Sequence, residues 1–188
     1  MDPAAADNNQ APADIGSSSD TGNQSPVDYS LSGGIAGLLA RLNLSIAFSS
    51  YQSNLLYMLG VLPEGGPHLH QSSMAKPMGL AHDGRGGMVL ATGFQVIEFA
   101  NILQPHERVN EVFDACYMPR TIHMTGSCDA HDVAVDVHGS IVFVNTRFNC
   151  LATISPRHSF EMTWKPDFIS KLVSEDRCHL NGLAMEDG

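Results

Sequence analysis

No apolar run in this 188-residue chain approaches the roughly 20 residues that a bilayer-crossing helix needs. No membrane partner is therefore expected. Basic residues are scarce, ten Lys and Arg against twenty Asp and Glu, for a formal net charge of −10. With no basic stripe, nucleic acid is not expected as a partner either. The first thirty residues, MDPAAADNNQAPADIGSSSDTGNQSPVDYS, lack Lys and Arg altogether, carry five Asp and have almost nothing apolar to bury. Such a segment cannot offset the entropy lost on ordering, so residues 1–30 are read as a disordered acidic tail. It also lacks the basic start and apolar core of a secretory leader. The four cysteines, Cys116, Cys128, Cys150 and Cys178, are scattered. They are expected to be reduced and the chain cytoplasmic.

Catalytic signatures are missing too. There is no G-x-S-x-G elbow, no G-x-x-x-x-G-K phosphate loop and no dinucleotide fingerprint. Cys116, His123, Cys128 and His131 follow C-x6-H-x4-C-x2-H, which matches no compact zinc hairpin. Whether the protein is an enzyme is therefore not decided by any single motif.

What is present is a repeat. KPMGLAHDGRGGMVLATGFQVIEF begins at Lys76, DAHDVAVDVHGSIVFVNTRFNCLATIS at Asp129 and HLNGLAMEDG at His179. Met78, His131 and Asn181 hold the same place in each. A first strand follows in every copy: Gly79–Ala81, Val133–Val135 and Gly182–Ala184. The turns Asp83-Gly84, His138-Gly139 and Asp187-Gly188 come next, in dipeptides whose glycine tolerates positive φ. Second strands are predicted at Met88–Thr92 and Ile141–Asn145, third strands at Val96–Phe99 and Cys150–Ile154, and fourth strands at Glu111–Tyr117 and Phe160–Trp164. An earlier half-copy, SIAFSSYQSNLLYML, matches SIVFVNTRFNCLATI. Ile35–Leu42 reads as a short amphipathic helix. Four-stranded units recurring near every 50 residues predict an all-β chain, an incomplete β-propeller of about three blades. Residues 31–188 would be the N-terminal part of that domain, and open blade edges would favour self-association.

The strings CLAT (Cys150–Thr153), HSF (His158–Phe160), WKPDFIS (Trp164–Ser170) and EDRCHLNGLA (Glu175–Ala184) occur in that order. Together with SIAFSSYQSNLL, KPMGLA and HDVAVD, they resemble an uncharacterised, largely bacterial family of propeller-like proteins known only as a domain of unknown function. Asp167 stands where that family's pattern has a second Pro. The resemblance covers about Ile35 to Gly188 and implies a longer propeller whose C-terminal half is absent from this sequence. It implies a fold and no mechanism. A looser resemblance links HLNGLA to the gluconolactonase and senescence-marker propellers, where an Asn-Gly at a first-strand start ligates calcium.

In a propeller the first-strand starts, the second-to-third-strand corners and the links between blades emerge on one face. That face would hold Met78, His131, Asp132 and Asn181 from the starts. The corners would add Tyr51, Gln52, Asn145 and Arg147, and the links Arg120, His123, Asp129, Glu175, Asp176, Arg177 and His179. A binding domain would use Tyr51, Gln52, Asn145, Arg147, Arg177 and His179 to hold a small molecule or a protein. A calcium-dependent lactonase or hydrolase would take oxygen ligands from Asp129, Asn145 and Asn181 and shuttle a proton through His131. A truncated remnant is the third reading. Several residues have structural roles open to them. Asp132 would accept backbone N–H groups of the next blade, Arg177 would pair with Glu175 or Asp176, and Trp164 would pack between blades. His68 and His70 would share one face of an exposed outer strand.

Overall fold

The computed structural model describes residues 30–32 and 34–186. The expected disordered tail and the Asp187-Gly188 turn lie outside the described residues. The chain is mostly β, with three antiparallel sheets and one short helix. Helix α1 (Ile35–Leu42) ends at Asn43, whose left-handed conformation (φ 50°) closes the last turn. It sets Leu39, 3% exposed, against the first sheet.

The first sheet is β1 (Ile46–Ser50), β2 (Leu55–Val61) and β3 (Pro67–Ser73). The second is β4 (Pro77–His82), β5 (Met88–Thr92), β6 (Gln95–Asn101) and β7 (Tyr117–Met124). The third is β8 (Val133–Val135), β9 (Ile141–Asn145), β10 (Cys150–Thr153) and β11 (Glu161–Trp164). Each sheet runs in sequence order and none closes on itself.

The sheets stack face to face, and β5 shows why. All five residues of MVLAT are buried. Met88 and Leu90 pack with Leu56, Ile97 and Phe99 between the first and second sheets. Val89 and Ala91 point the other way and pack with Val133, Ile141, Phe143, Cys150 and Ala152. A strand covered on both faces needs a continuous apolar run rather than alternation. The sheets are closest at their first strands, β1 beside β4 and β4 beside β8.

The hairpin turns repeat, and the expected dipeptides Asp83-Gly84 and His138-Gly139 lie in them with both glycines at positive φ, 72° and 86°. Asp83 Oδ1 accepts the N–H groups of Arg85 and Gly87, each at 2.7 Å. Asp136 Oδ1 accepts those of His138 and Ser140 at 2.9 and 2.7 Å. The equivalent residues are thus Asp83 and Asp136, whose side chains cradle the loops, together with Gly86 and Gly139, both at positive φ (91° and 86°).

Four expectations are corrected. The fourth strand of the second sheet is Tyr117–Met124, not Glu111–Tyr117. Asn101 Oδ1 accepts from the N–H groups of Leu103 and Cys116 and ties off an intervening loop, in which Asn110 and Glu111 have φ of 50° and 63°. Arg120 and His123 consequently lie within β7 rather than on a link between sheets. Gly182–Ala184 is not a paired strand: the Leu183 N–H goes to the Asp132 side chain instead of a ladder partner. Trp164 is 51% exposed on β11 opposite Leu151, so no neighbouring sheet covers it.

Candidate functional site

The repeat fixes three backbone positions before it fixes a site. Lys76, Asp129 and His179 each stand two residues ahead of Met78, His131 and Asn181. All three are left-handed, with φ of 51°, 47° and 45°. Only a few per cent of non-glycine residues adopt this region. Three instances at one repeat position mark a shared bend that turns the chain into the start of each unit. The corners are related in the same way. Asn54 and Asn149 are left-handed, and their side-chain carbonyls accept the N–H groups of Lys76 at 3.0 Å and Cys178 at 2.9 Å. Each corner therefore grips the segment that leads to the next first strand.

These bends deliver side chains to one cleft of about 390 Å³, lined by Ser49, Tyr51, Pro77, Met78, His131, His179 and Asn181. The Ser49 hydroxyl donates to the Met78 carbonyl, fixing β1 against β4. His131 Nδ1 lies 3.1 Å from Met78 Sδ. The His131 and His179 rings meet edge to face with centroids 5.1 Å apart. His179 Nδ1 lies 2.8 Å from Asp176 Oδ2. A shallower hollow of about 470 Å³ lies between Asn54 and Lys76, but Lys76 is its only ionisable lining residue.

Just ahead of the third sheet, Asp129 sits between two cations, Lys76 Nζ at 2.5 Å from Oδ1 and Arg147 Nε at 3.3 Å from Oδ2. Burial acts to raise the Asp129 pKa. The hydrogen bond and charge of Lys76, with Arg147 and His131 behind, outweigh it and hold the carboxyl below its usual 3.8. Burial lowers the His131 pKa below 6.5, and the nearby His179 lowers it further, so the imidazole is neutral at pH 7.

Of the expected site residues, Tyr51, His131, His179 and Asn181 share the cleft lining. Gln52 is exposed on the same corner as Tyr51 but does not line the cleft. Arg147 is engaged with Asp129, and Arg177 lies outside the lining with its Nε 4.0 Å from Glu175 Oε2. Asn145 is fully buried. Its Nδ2 donates to Cys128 Sγ and its Oδ1 accepts from the Phe148 N–H, so it closes the β9–β10 corner from inside. Two of the three residues expected as calcium ligands, Asp129 and Asn145, thus have their polar atoms committed to protein partners. Among the described residues no group of three or more His, Cys, Asp or Glu side chains is disposed to hold a metal ion. Asp132 accepts the Val133 N–H at 2.9 Å through Oδ1 and the Leu183 N–H at 3.0 Å through Oδ2, the structural role expected for it. His123 is paired with Glu98 at 2.6 Å.

Sequence reasoning placed Asp176 on this face but missed Ser49 and Pro77 on the lining and the pairing of Asp176 with His179. Pro77 was legible in principle, since it directly precedes the repeat position of Met78. The Asp176–His179 contact was not, because it depends on the left-handed turns at both 176 and 179.

The family model for a domain of unknown function (DUF4915) matches residues 33–188. The chain belongs to that family, and the match spans every sheet and the whole cleft. No curated protein and no solved structure matches it. No helix among the described residues is long and apolar enough to cross a membrane.

Proposed function

We propose that the three sheets are consecutive blades of a β-propeller and that the cleft at their first-strand starts binds a small, polar, hydroxyl-bearing molecule. One observation carries this reading: Met78, His131 and Asn181, equivalent in sequence, line a single cleft. Two of the three, His131 and Asn181, carry polar side chains and are not buried. The lining mixes donors and acceptors from His131, His179, Asn181 and Tyr51, with Tyr51 54% exposed as an aromatic face. Few convergent polar groups beside an aromatic ring suit a polyhydroxylated ligand.

The metal-dependent hydrolase reading keeps His131 and Asn181 on the cleft. It is weakened by the internal partners of Asp129 and Asn145.

The test is a titration of the full chain with D-gluconate and D-glucose, following 15N-labelled histidine side chains by NMR. The reading expects saturable shifts at His131 and His179, weakened by Tyr51→Ala. Shifts at neither ring with either probe at millimolar concentration would sink it.

A further inference from the structure

We propose that Met78, His131 and His179, which share the lining of the cleft, form a binding site for one copper(I) ion. The inference goes beyond the small-molecule reading and does not rest on it.

Its ground is donor chemistry and spacing. Met78 Sδ lies 3.1 Å from His131 Nδ1. A thioether sulfur accepts a hydrogen bond and has no proton to give. In the ion-free protein the ring proton therefore sits on Nδ1, between nitrogen and sulfur. A nitrogen and a sulfur held about 2.0 and 2.3 Å from one ion stand roughly 3 to 4 Å from each other. The Met78–His131 pair already has that spacing. The His131 and His179 rings have centroids 5.1 Å apart. Two imidazoles that share an ion, each nitrogen at about 2.0 Å, set their ring centres roughly 5 Å apart. Asp176 Oδ2 accepts from His179 Nδ1 at 2.8 Å, which leaves Nε2 of that ring for the ion. A carboxylate behind a histidine is the usual outer support of a metal ligand. Among the described residues no three His, Cys, Asp or Glu donors form a metal group, and the third donor here is a thioether instead.

The donor set selects the ion. Thioether sulfur is soft and takes copper(I), imidazole takes copper as well, and calcium and magnesium want oxygen. Met78 is 8% exposed, and the Ser49 hydroxyl on its carbonyl fixes it in place. The His179 side chain is 61% exposed, so an ion enters from that side without parting the sheets. Cys178 is not a ligand, because its Sγ faces Asn149 Oδ1 at 3.4 Å. Binding costs His131 no net proton. Copper(I) takes the place of the proton on Nδ1, that proton passes through solvent to Nε2, and the ring stays neutral.

The experiment uses the full chain carrying Cys116→Ser and Cys178→Ser, so that no half-buried thiol competes for the ion. Copper(I) is supplied under ascorbate at neutral pH and competed against bicinchoninate, with 15N-labelled histidine rings followed by NMR. The proposal expects one ion per chain and a His131 proton that moves from Nδ1 to Nε2. Met78→Leu removes the sulfur and keeps the volume, and should weaken binding about 100-fold. Asp176→Asn, an exposed change, should weaken it about tenfold and keeps the test decisive if the Met78 variant fails to fold. No binding in the competition, binding equal in the parent and both variants, or copper(I) that leaves the His131 tautomer unchanged would each overturn the proposal. The gluconate titration is run without copper, so the small-molecule reading stands or falls on its own.

Discussion

A β-carbon added to Gly79 would lie 2.6 Å from the Cα and carbonyl carbon of Asp132. The first strands of the second and third sheets therefore touch backbone to backbone, and the cleft forms at the end of that contact. Gly79→Ala forces β4 and β8 apart. Overpacking of this kind costs about 3 kcal/mol, measurable by urea denaturation. Gly66→Ala is the control, since nothing lies within 4 Å of its added carbon. Equal midpoints for the two variants would contradict the close approach.

Asp132 also holds the C-terminal segment. Its Oδ2 is the partner of the Leu183 N–H, and the Thr146 hydroxyl donates to the Leu180 carbonyl. Asp132→Ala leaves the Val133 and Leu183 N–H groups without acceptors. A loss of about 2 kcal/mol is expected. Hydrogen exchange should quicken at Leu183 before it quickens at the buried Val89 and Phe143. Uniform acceleration across all three sheets would count against a local clasp.

Asp129 gives stability a pH dependence with a definite sign. Its folded pKa is depressed, so the unfolded chain binds the proton more readily. The stabilisation is complete above the unfolded value of 3.8 and is lost as pH falls through the lower folded value. Asp129→Asn should flatten the denaturation midpoint across that acid window. The partners are partly exposed, at 46% for both Lys76 and Arg147, so solvent and salt damp the effect. A midpoint whose acid slope is unchanged in Asp129→Asn would refute the assignment.

The four thiols divide into two pairs. Burial raises Cys128 to about 11 and Cys150 to about 12. Both stay protonated and inert at neutral pH, whereas Cys116 and Cys178 are only half-buried. Iodoacetamide on the native protein should label Cys116 and Cys178 and spare Cys128 and Cys150, with all four labelled in urea. Peptide mass mapping reads the result. Native labelling of Cys150 would mean that the sheet-to-sheet core is not formed.

Much of this organisation was legible in residues. Ile35–Leu42, Met88–Thr92 and Ile141–Asn145 could be read to the residue, because an amphipathic period and short apolar runs leave one packing open to each. The repeat placed Met78, His131 and Asn181 together. Legibility failed where a side chain takes over a backbone's role. Asn101 stitches Leu103 to Cys116 and so delays the fourth strand to Tyr117, which no propensity reveals. Asp132 accepts the Leu183 N–H, a side-chain contact that no propensity reveals. Asn145 looked like a surface ligand at a corner, but the Cys128 thiol and the Phe148 N–H draw it inward. Trp164 looked like a packing residue, yet the outermost strand of the third sheet leaves it half exposed.

The contact between Met78 and His131 carries the most weight, and long-range 1H–15N correlation of the histidine rings measures it directly. At pH 7 the account predicts that His131 is neutral, with a protonated Nδ1 and an unprotonated Nε2 whose shift moves on adding D-gluconate. Met78→Leu should release that tautomer preference. A His131 ring protonated at Nε2, with a shift indifferent to both the ligand and Met78→Leu, would contradict it.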